Sequence, residues 1–99
     1  MKVFYSRIAQ EQYNEIVYYL NDRFGKNQAK QFSEIFRLRL QQIKTFPESG
    51  SFFFDTHHRK MMINPYITLI YNINTETNTL EILTFWFNRS NPEVVLQHL

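Results

Sequence analysis

Two β-rich runs late in the chain, Tyr66 to Asn74 and Thr79 to Phe87, restrict the fold more than any other feature. Only Thr75, Glu76, Thr77 and Asn78 separate them. β-branched and aromatic runs bounded by turn formers predict an antiparallel hairpin. The second run is apolar at nearly every position toward its end, which predicts cover on both faces and a central place in a sheet. It stops at Asn88, Arg89, Ser90, Asn91 and Pro92. A guanidinium is thus expected at the exit of a rigid strand, where it needs solvent, a carboxylate or a phosphate.

The rest of the chain supplies partners for that hairpin. Lys2 to Tyr5 reads as a short strand, and Ser6 is placed to cap a helix. Ile8, Ala9, Tyr13, Ile16, Val17, Leu20 and Phe24 then recur at steps of three and four, one face of an amphipathic helix. Gly25 ends it as a residue that tolerates the left-handed C′ conformation. Ala29, Phe32, Phe36, Leu40 and Ile43 form a second stripe, widened by Ile35, Leu38 and Phe46, and Pro47 and Gly50 close that helix. So short a connection predicts an antiparallel helical hairpin. Ser51 to His58 reads as a loop, Arg59 to Ile63 as a strand and Asn64–Pro65 as a turn. Pro92 leaves open a short terminal helix over Glu93 to Leu99. The expectation is one α+β domain over residues 1–99: an N-terminal strand and a two-helix hairpin packed on a mostly antiparallel four-stranded sheet.

Charge and composition narrow the function classes. Eleven Lys and Arg against nine Asp and Glu leave a formal charge of +2. The excess lies in residues 1–50, which makes an acidic or nucleic-acid partner plausible without demanding one. The absence of cysteine removes disulfides and thiolate zinc sites. No apolar run approaches the roughly 20 residues that span a bilayer, and no signal-peptide pattern opens the chain. A soluble cytoplasmic protein with no membrane partner is expected. Ten Phe, six Tyr and one Trp exceed what so small a core needs, so some aromatics are expected at an interface.

Several elements taken together resemble the RelE/ParE superfamily of toxins from bacterial type II toxin–antitoxin systems. These are the Ser6-capped helix ending in Tyr19, Leu20, Phe24 and Gly25, then Ala29 and Phe32, and the terminating Pro47 and Gly50. Arg59, the strand bearing Tyr66, Leu69, Ile70 and Tyr71, and the strand ending in Arg89 before Pro92 complete the set. The resemblance implies one of two activities. ParE-like members bind and poison DNA gyrase; RelE-like members cleave messenger RNA on the ribosome without a metal. It also implies a cognate antitoxin that lays an amphipathic helix on the helical hairpin and extends along the sheet, with Tyr13, Phe32, Phe36 and Phe53 as its candidate contacts. No cofactor is implied. A third reading is a non-toxic member that only binds its antitoxin.

The chemistry favours the gyrase branch. Cleavage by a 2′-hydroxyl needs a proton acceptor, a proton donor and cations around the phosphate. After Lys44 the only Lys and Arg are Arg59, Lys60 and Arg89. A nuclease would have to draw on Arg59, Lys60 and Arg89 for the phosphate, with Tyr71 or His98 moving protons. The sheet is mostly apolar, which suits a protein-binding surface, and Arg59, Arg89 and Trp86 are the candidate target contacts. Each has a plainer role: Arg89 as a fork to Glu93, Trp86 and Tyr71 as core under the helices, His98 as an idle helix-end residue. Adjacent His57 and His58 point to opposite faces, and nothing completes a metal ligand set around them. Phe52, Phe53 and Phe54 cannot all turn inward, so at least one is left exposed or under a partner.

Overall fold

Ser6 joins the first helix to the sheet. In the computed structural model of the protein, which describes residues 1–54 and 56–87, its hydroxyl accepts the Ala9 N–H at 3.0 Å and donates to the Leu83 carbonyl at 2.6 Å. The first contact caps helix α1 (Arg7–Phe24), an interaction worth about 1 kcal/mol. The second fixes that helix to strand β5 (Thr79–Phe87).

Gly25 alone separates α1 from α2 (Lys26–Thr45). Its φ of 93° and ψ of 171° are not the left-handed cap expected from sequence. They fall in a region essentially confined to glycine, and in this conformation the chain passes from one helix to the next within a single residue. The helices pack as the expected hairpin. Tyr13 lies between them with ring centroids 5.9 Å from Phe32 and 5.3 Å from Phe36, and its hydroxyl meets Ser33 Oγ at 2.9 Å.

The sheet has five strands in the order β1-β5-β4-β3-β2. These are β1 (Lys2–Tyr5), β2 (Ser51–Phe52), β3 (Arg59–Asn64), β4 (Ile67–Asn74) and β5. β1 runs parallel to β5 and the other pairings are antiparallel. The fifth strand is β2, two residues drawn from the segment expected to be all loop; Ser51 pairs with Lys60 and Phe52 with Arg59. β5 is an interior strand as expected, but the middle position belongs to β4, whose first five residues are buried.

Ile70 pairs with Thr84 and Tyr71 with Ile82, so Leu83 is an extra residue in β5. A bulge of this kind shifts the alternation of side chains by one. Leu80, Ile82 and Phe85 therefore all join the core beneath the helices with Ala9, Ile16, Phe36 and Leu69. Trp86 falls on the opposite face, packing with Phe53 and Ile70. The expectation that Trp86 lies under the helical hairpin is thereby corrected.

Two stripe assignments also change. Phe24 is exposed because α1 runs on past the sheet that covers its earlier turns, and Leu38 on α2 and Phe46 just after its end are exposed. The expected helix over Glu93 to Leu99 lies outside the described residues.

Candidate functional site

Arg59 sits at the edge of the sheet on the same side as its partner Tyr71. Its guanidinium donates to Gly50 O at 2.8 Å and Glu48 O at 3.4 Å and lies 4.1 Å from the centre of the Phe52 ring. Two carbonyls and an aromatic face thus hold it as a clamp on the segment that leaves α2. Lys60 alternates to the opposite face, opposite Ile70.

Tyr71 is fully buried. Its hydroxyl donates to Pro47 O at 3.0 Å and accepts the Gly50 N–H at 3.0 Å. Burial raises the pKa of this phenol, opposed by the Gly50 hydrogen bond, the Arg59 charge and Ser49. Of the residues a nuclease would draw on, the Tyr71 hydroxyl and Arg59 Nη1 are thus engaged by the backbone of Pro47 to Gly50. Arg89 and His98 lie outside the described residues.

The four candidate antitoxin contacts are mostly interior. Phe32, Phe36 and Phe53 are 3, 5 and 0 % exposed, and Tyr13 is half-buried inside the hairpin. Packing in the core engages Phe36 and Phe53, and Tyr13 is held between the helices by its neighbours. Phe32 alone also lines a cleft. This cleft of about 970 Å³ opens where the hairpin overhangs the sheet. α1 contributes Ile16, Tyr19, Leu20 and Phe24; α2 contributes Phe32 and Ile35; the β3–β4 turn contributes Pro65 and Tyr66; β4 contributes Ile67 and β5 contributes Phe87. Glu15, Gln28, Gln31 and Asn64 add polar groups to its lining. The Asn64 side chain accepts the N–H groups of Tyr66 at 2.8 Å and Ile67 at 2.9 Å, an Asx turn that fixes the sheet side of the cleft.

Tyr19, Phe24, Tyr66 and Phe87 are 52, 62, 65 and 47 % exposed. Exposed aromatics thus gather around one apolar cleft, the residue type in which protein interfaces are enriched. The candidate list from sequence omitted them, although Tyr19 lies off the core stripe of α1, a signal that it serves something other than the core.

Gln12 was also not singled out. β1 ends opposite Ile82, and among the described residues no strand neighbours the rest of that β5 edge. There the Gln12 amide accepts the Phe85 N–H at 2.8 Å and donates to Phe85 O at 3.2 Å. One side chain reproduces the bonding of a missing strand.

The opposite face of the sheet is covered in part by the segment around Phe53, whose ring meets Trp86 edge-on at 5.5 Å between centroids. Phe52 and Phe54 on either side are exposed. The Phe53 N–H bonds His58 O at 2.8 Å and the Thr56 hydroxyl bonds Phe53 O at 2.6 Å, closing the loop on itself. His58 Nδ1 is buried without a hydrogen-bond partner. Burial and the neighbouring His57 lower the His58 pKa, and Glu81 opposes them. Among the described residues no group of three or more His, Cys, Asp or Glu is arranged to hold a metal ion.

The family model for the ParE toxin of the type II toxin–antitoxin system, parDE, matches residues 3–92. Comparison with curated proteins gives no match. Among solved structures, the YoeB/ParE toxin from Agrobacterium tumefaciens is similar at 13% identity and TM-score 0.66, covering 89% of this chain and 99% of its own. The chromosomal ParDE system from P. aeruginosa matches at 11% identity and TM-score 0.70, covering 88% and 95%. The isolated E. coli RelE toxin matches at 12% identity and TM-score 0.60, covering 99% and 98%. At these identities the structural likenesses establish the shared fold.

Proposed function

We propose a gyrase-poisoning mode of action from the premise that this chain belongs to the ParE toxin family of type II toxin–antitoxin systems. It is a toxin with a cognate antitoxin as partner. It acts by binding DNA gyrase as a protein ligand, and the antitoxin silences it from the cleft beneath the helical hairpin.

The observation that carries this reading is the engagement of Arg59 within the fold, through Nη1 on the Glu48 and Gly50 carbonyls and through the Phe52 ring. A ribonuclease needs cations free to meet the phosphate as charge develops on it, whereas both carbonyl contacts of Arg59 and its ring contact lie within the fold. Tyr71 is likewise sealed between Pro47 and Gly50. Protein binding makes no such demand, and the exposed aromatics supply the anchors that tight protein interfaces use.

The experiment is a pair of purified assays. The isolated chain is expected to inhibit gyrase supercoiling and to leave ribosome-bound messenger RNA intact. Cleavage of the message on purified ribosomes, lost with Arg59→Ala or Lys60→Ala, supports the nuclease reading instead. Inactivity in both assays together with antitoxin binding supports the non-toxic one.

A further inference from the structure

α2 carries five of the eleven Lys and Arg and one of the nine Asp and Glu. Arg39 is turned to the sheet, where it donates to Met62 O at 3.0 Å. The other four, Lys26, Lys30, Arg37 and Lys44, fall within about 40° of one another around the helix at 3.6 residues per turn. They form a single row about 27 Å long at 1.5 Å per residue. Lys26, Lys30 and Arg37 are exposed and Lys44 half-exposed. The row lies away from the buried stripe of Ala29, Phe32, Phe36, Leu40 and Ile43 and belongs to a different surface from the cleft.

This placement works against the helix. Lys26 occupies its first position and no acidic residue lies in the first turn, so a positive charge sits at the positive end of the dipole. Lys26 and Lys30 are a like-charge pair at i, i+4, which is destabilising. Among the described residues the one ion pair recorded is Arg7–Glu11 on α1. Glu34, four residues after Lys30 and three before Arg37, is the one carboxylate on the helix and is not recorded in an ion pair, and a net excess of cations against these local rules points to a surface shaped by a ligand. The exposed side chains beside these cations, Glu34 and Gln41, are polar, with no aromatic or aliphatic anchor of the kind protein interfaces rely on. The fitting ligand is a repeating anion.

We propose that the α2 row is a binding surface for the phosphodiester backbone of duplex DNA. A straight, rigid row of separated cations suits a straight, rigid polyanion, and the contact is sequence-independent because only phosphates are met. The surface is separate from the cleft and does not depend on gyrase being the target.

The test is binding of the full-length chain to a short fluorescein-labelled duplex of mixed sequence, followed by anisotropy across a salt series. With four phosphate contacts the slope of log K against log salt is expected near −3.6, at roughly −0.9 per contact. Each of Lys26→Gln, Lys30→Gln, Arg37→Gln and Lys44→Gln is expected to reduce it by about 0.9. Lys2→Gln, on β1, is expected to leave it unchanged. Circular dichroism melting verifies that each variant folds. The proposal is overturned by a slope that survives the quadruple substitution, by no binding at low salt, or by tighter binding of a single strand of the same length. It is also overturned if an acidic peptide binds the row while the duplex does not.

Discussion

The Tyr71 hydroxyl accepts the Gly50 N–H at 3.0 Å where a β-carbon on Gly50 would lie 2.6 Å from that same oxygen and 2.5 Å from Lys60 O. The close approach lets one buried phenol hold both Pro47 and Gly50, and so fixes the turn that leaves α2. Tyr71→Phe leaves the Gly50 N–H and the Pro47 carbonyl without this partner. A stability loss of about 1–3 kcal/mol is expected, measured by urea denaturation. Gly50→Ala is expected to cost at least as much, because the backbone at Lys60 cannot yield as a flexible side chain does. If the chain acts on gyrase as proposed, inhibition by folded Tyr71→Phe is expected to match the parent, because that reading gives the hydroxyl only its structural bonds to Pro47 and Gly50.

Gln12 makes a sharper discrimination. Replacing it with Ala removes both bonds to Phe85 and the acceptor used by the Thr84 hydroxyl at 2.9 Å. Gln12→Glu keeps an acceptor for the N–H and places a second carboxylate oxygen where the amide donated to Phe85 O. Both variants are expected to lower the melting temperature, and the Glu variant is expected to recover on acidification as its carboxyl regains a donor proton. Thermal melts at two pH values check this; equal, pH-independent losses would contradict the edge-mimic role.

His58 gives the fold a dependence on acid. Its imidazole is held below its ordinary pKa of 6.5 mainly by burial, with His57 adding to the effect and Glu81 opposing it. A lowered folded-state pKa means that the unfolded chain takes up the proton first as pH falls. The contribution is present above pH 6.5 and is lost progressively as pH drops through the lower folded value. Stability is therefore expected to fall across that window in the parent and to fall less in His58→Gln, when denaturation midpoints are compared from neutral to mildly acid pH. Loosening of this loop should show first as increased Trp86 fluorescence quenching, because Phe53 leaves the indole.

The α+β class, the helical hairpin and the strand pairs were legible because each rests on a period or a local signal. Apolar steps of three and four gave α1 and α2, and turn residues separated β4 from β5. What was not legible depends on contacts distant in sequence. The bulge at Leu83 reverses the alternation of β5, so no count along that run could put Trp86 on the face opposite the helices. Ser51–Phe52 becomes a strand only because Lys60 and Arg59 lie beside it. Phe24 reads as core because periodicity records which side of a helix a residue occupies and not where the sheet beneath it ends. Phe36 and Phe53 are buried for the same reason that they stand out in the sequence: a large aromatic looks alike there whether it fills a core or awaits a partner.

The cleft beneath the hairpin provides the remaining prediction. Tyr19 and Tyr66 face it from opposite sides, one on α1 and one on the β3–β4 turn, and each keeps more than half its surface exposed. Truncating an exposed ring has little effect on folding, whereas removing an aromatic anchor from an interface costs about 2 kcal/mol or more. Tyr19→Ala and Tyr66→Ala are therefore expected to leave the melting temperature close to the parent and to weaken antitoxin binding by at least roughly tenfold each, measured by calorimetry with the cognate antitoxin. Tyr18→Ala is the control: it is 73 % exposed and does not line the cleft, and its affinity is expected to be unchanged. If Tyr18→Ala weakens binding as much as the two cleft variants, the antitoxin helix lies on the outer face of the hairpin and not beneath it.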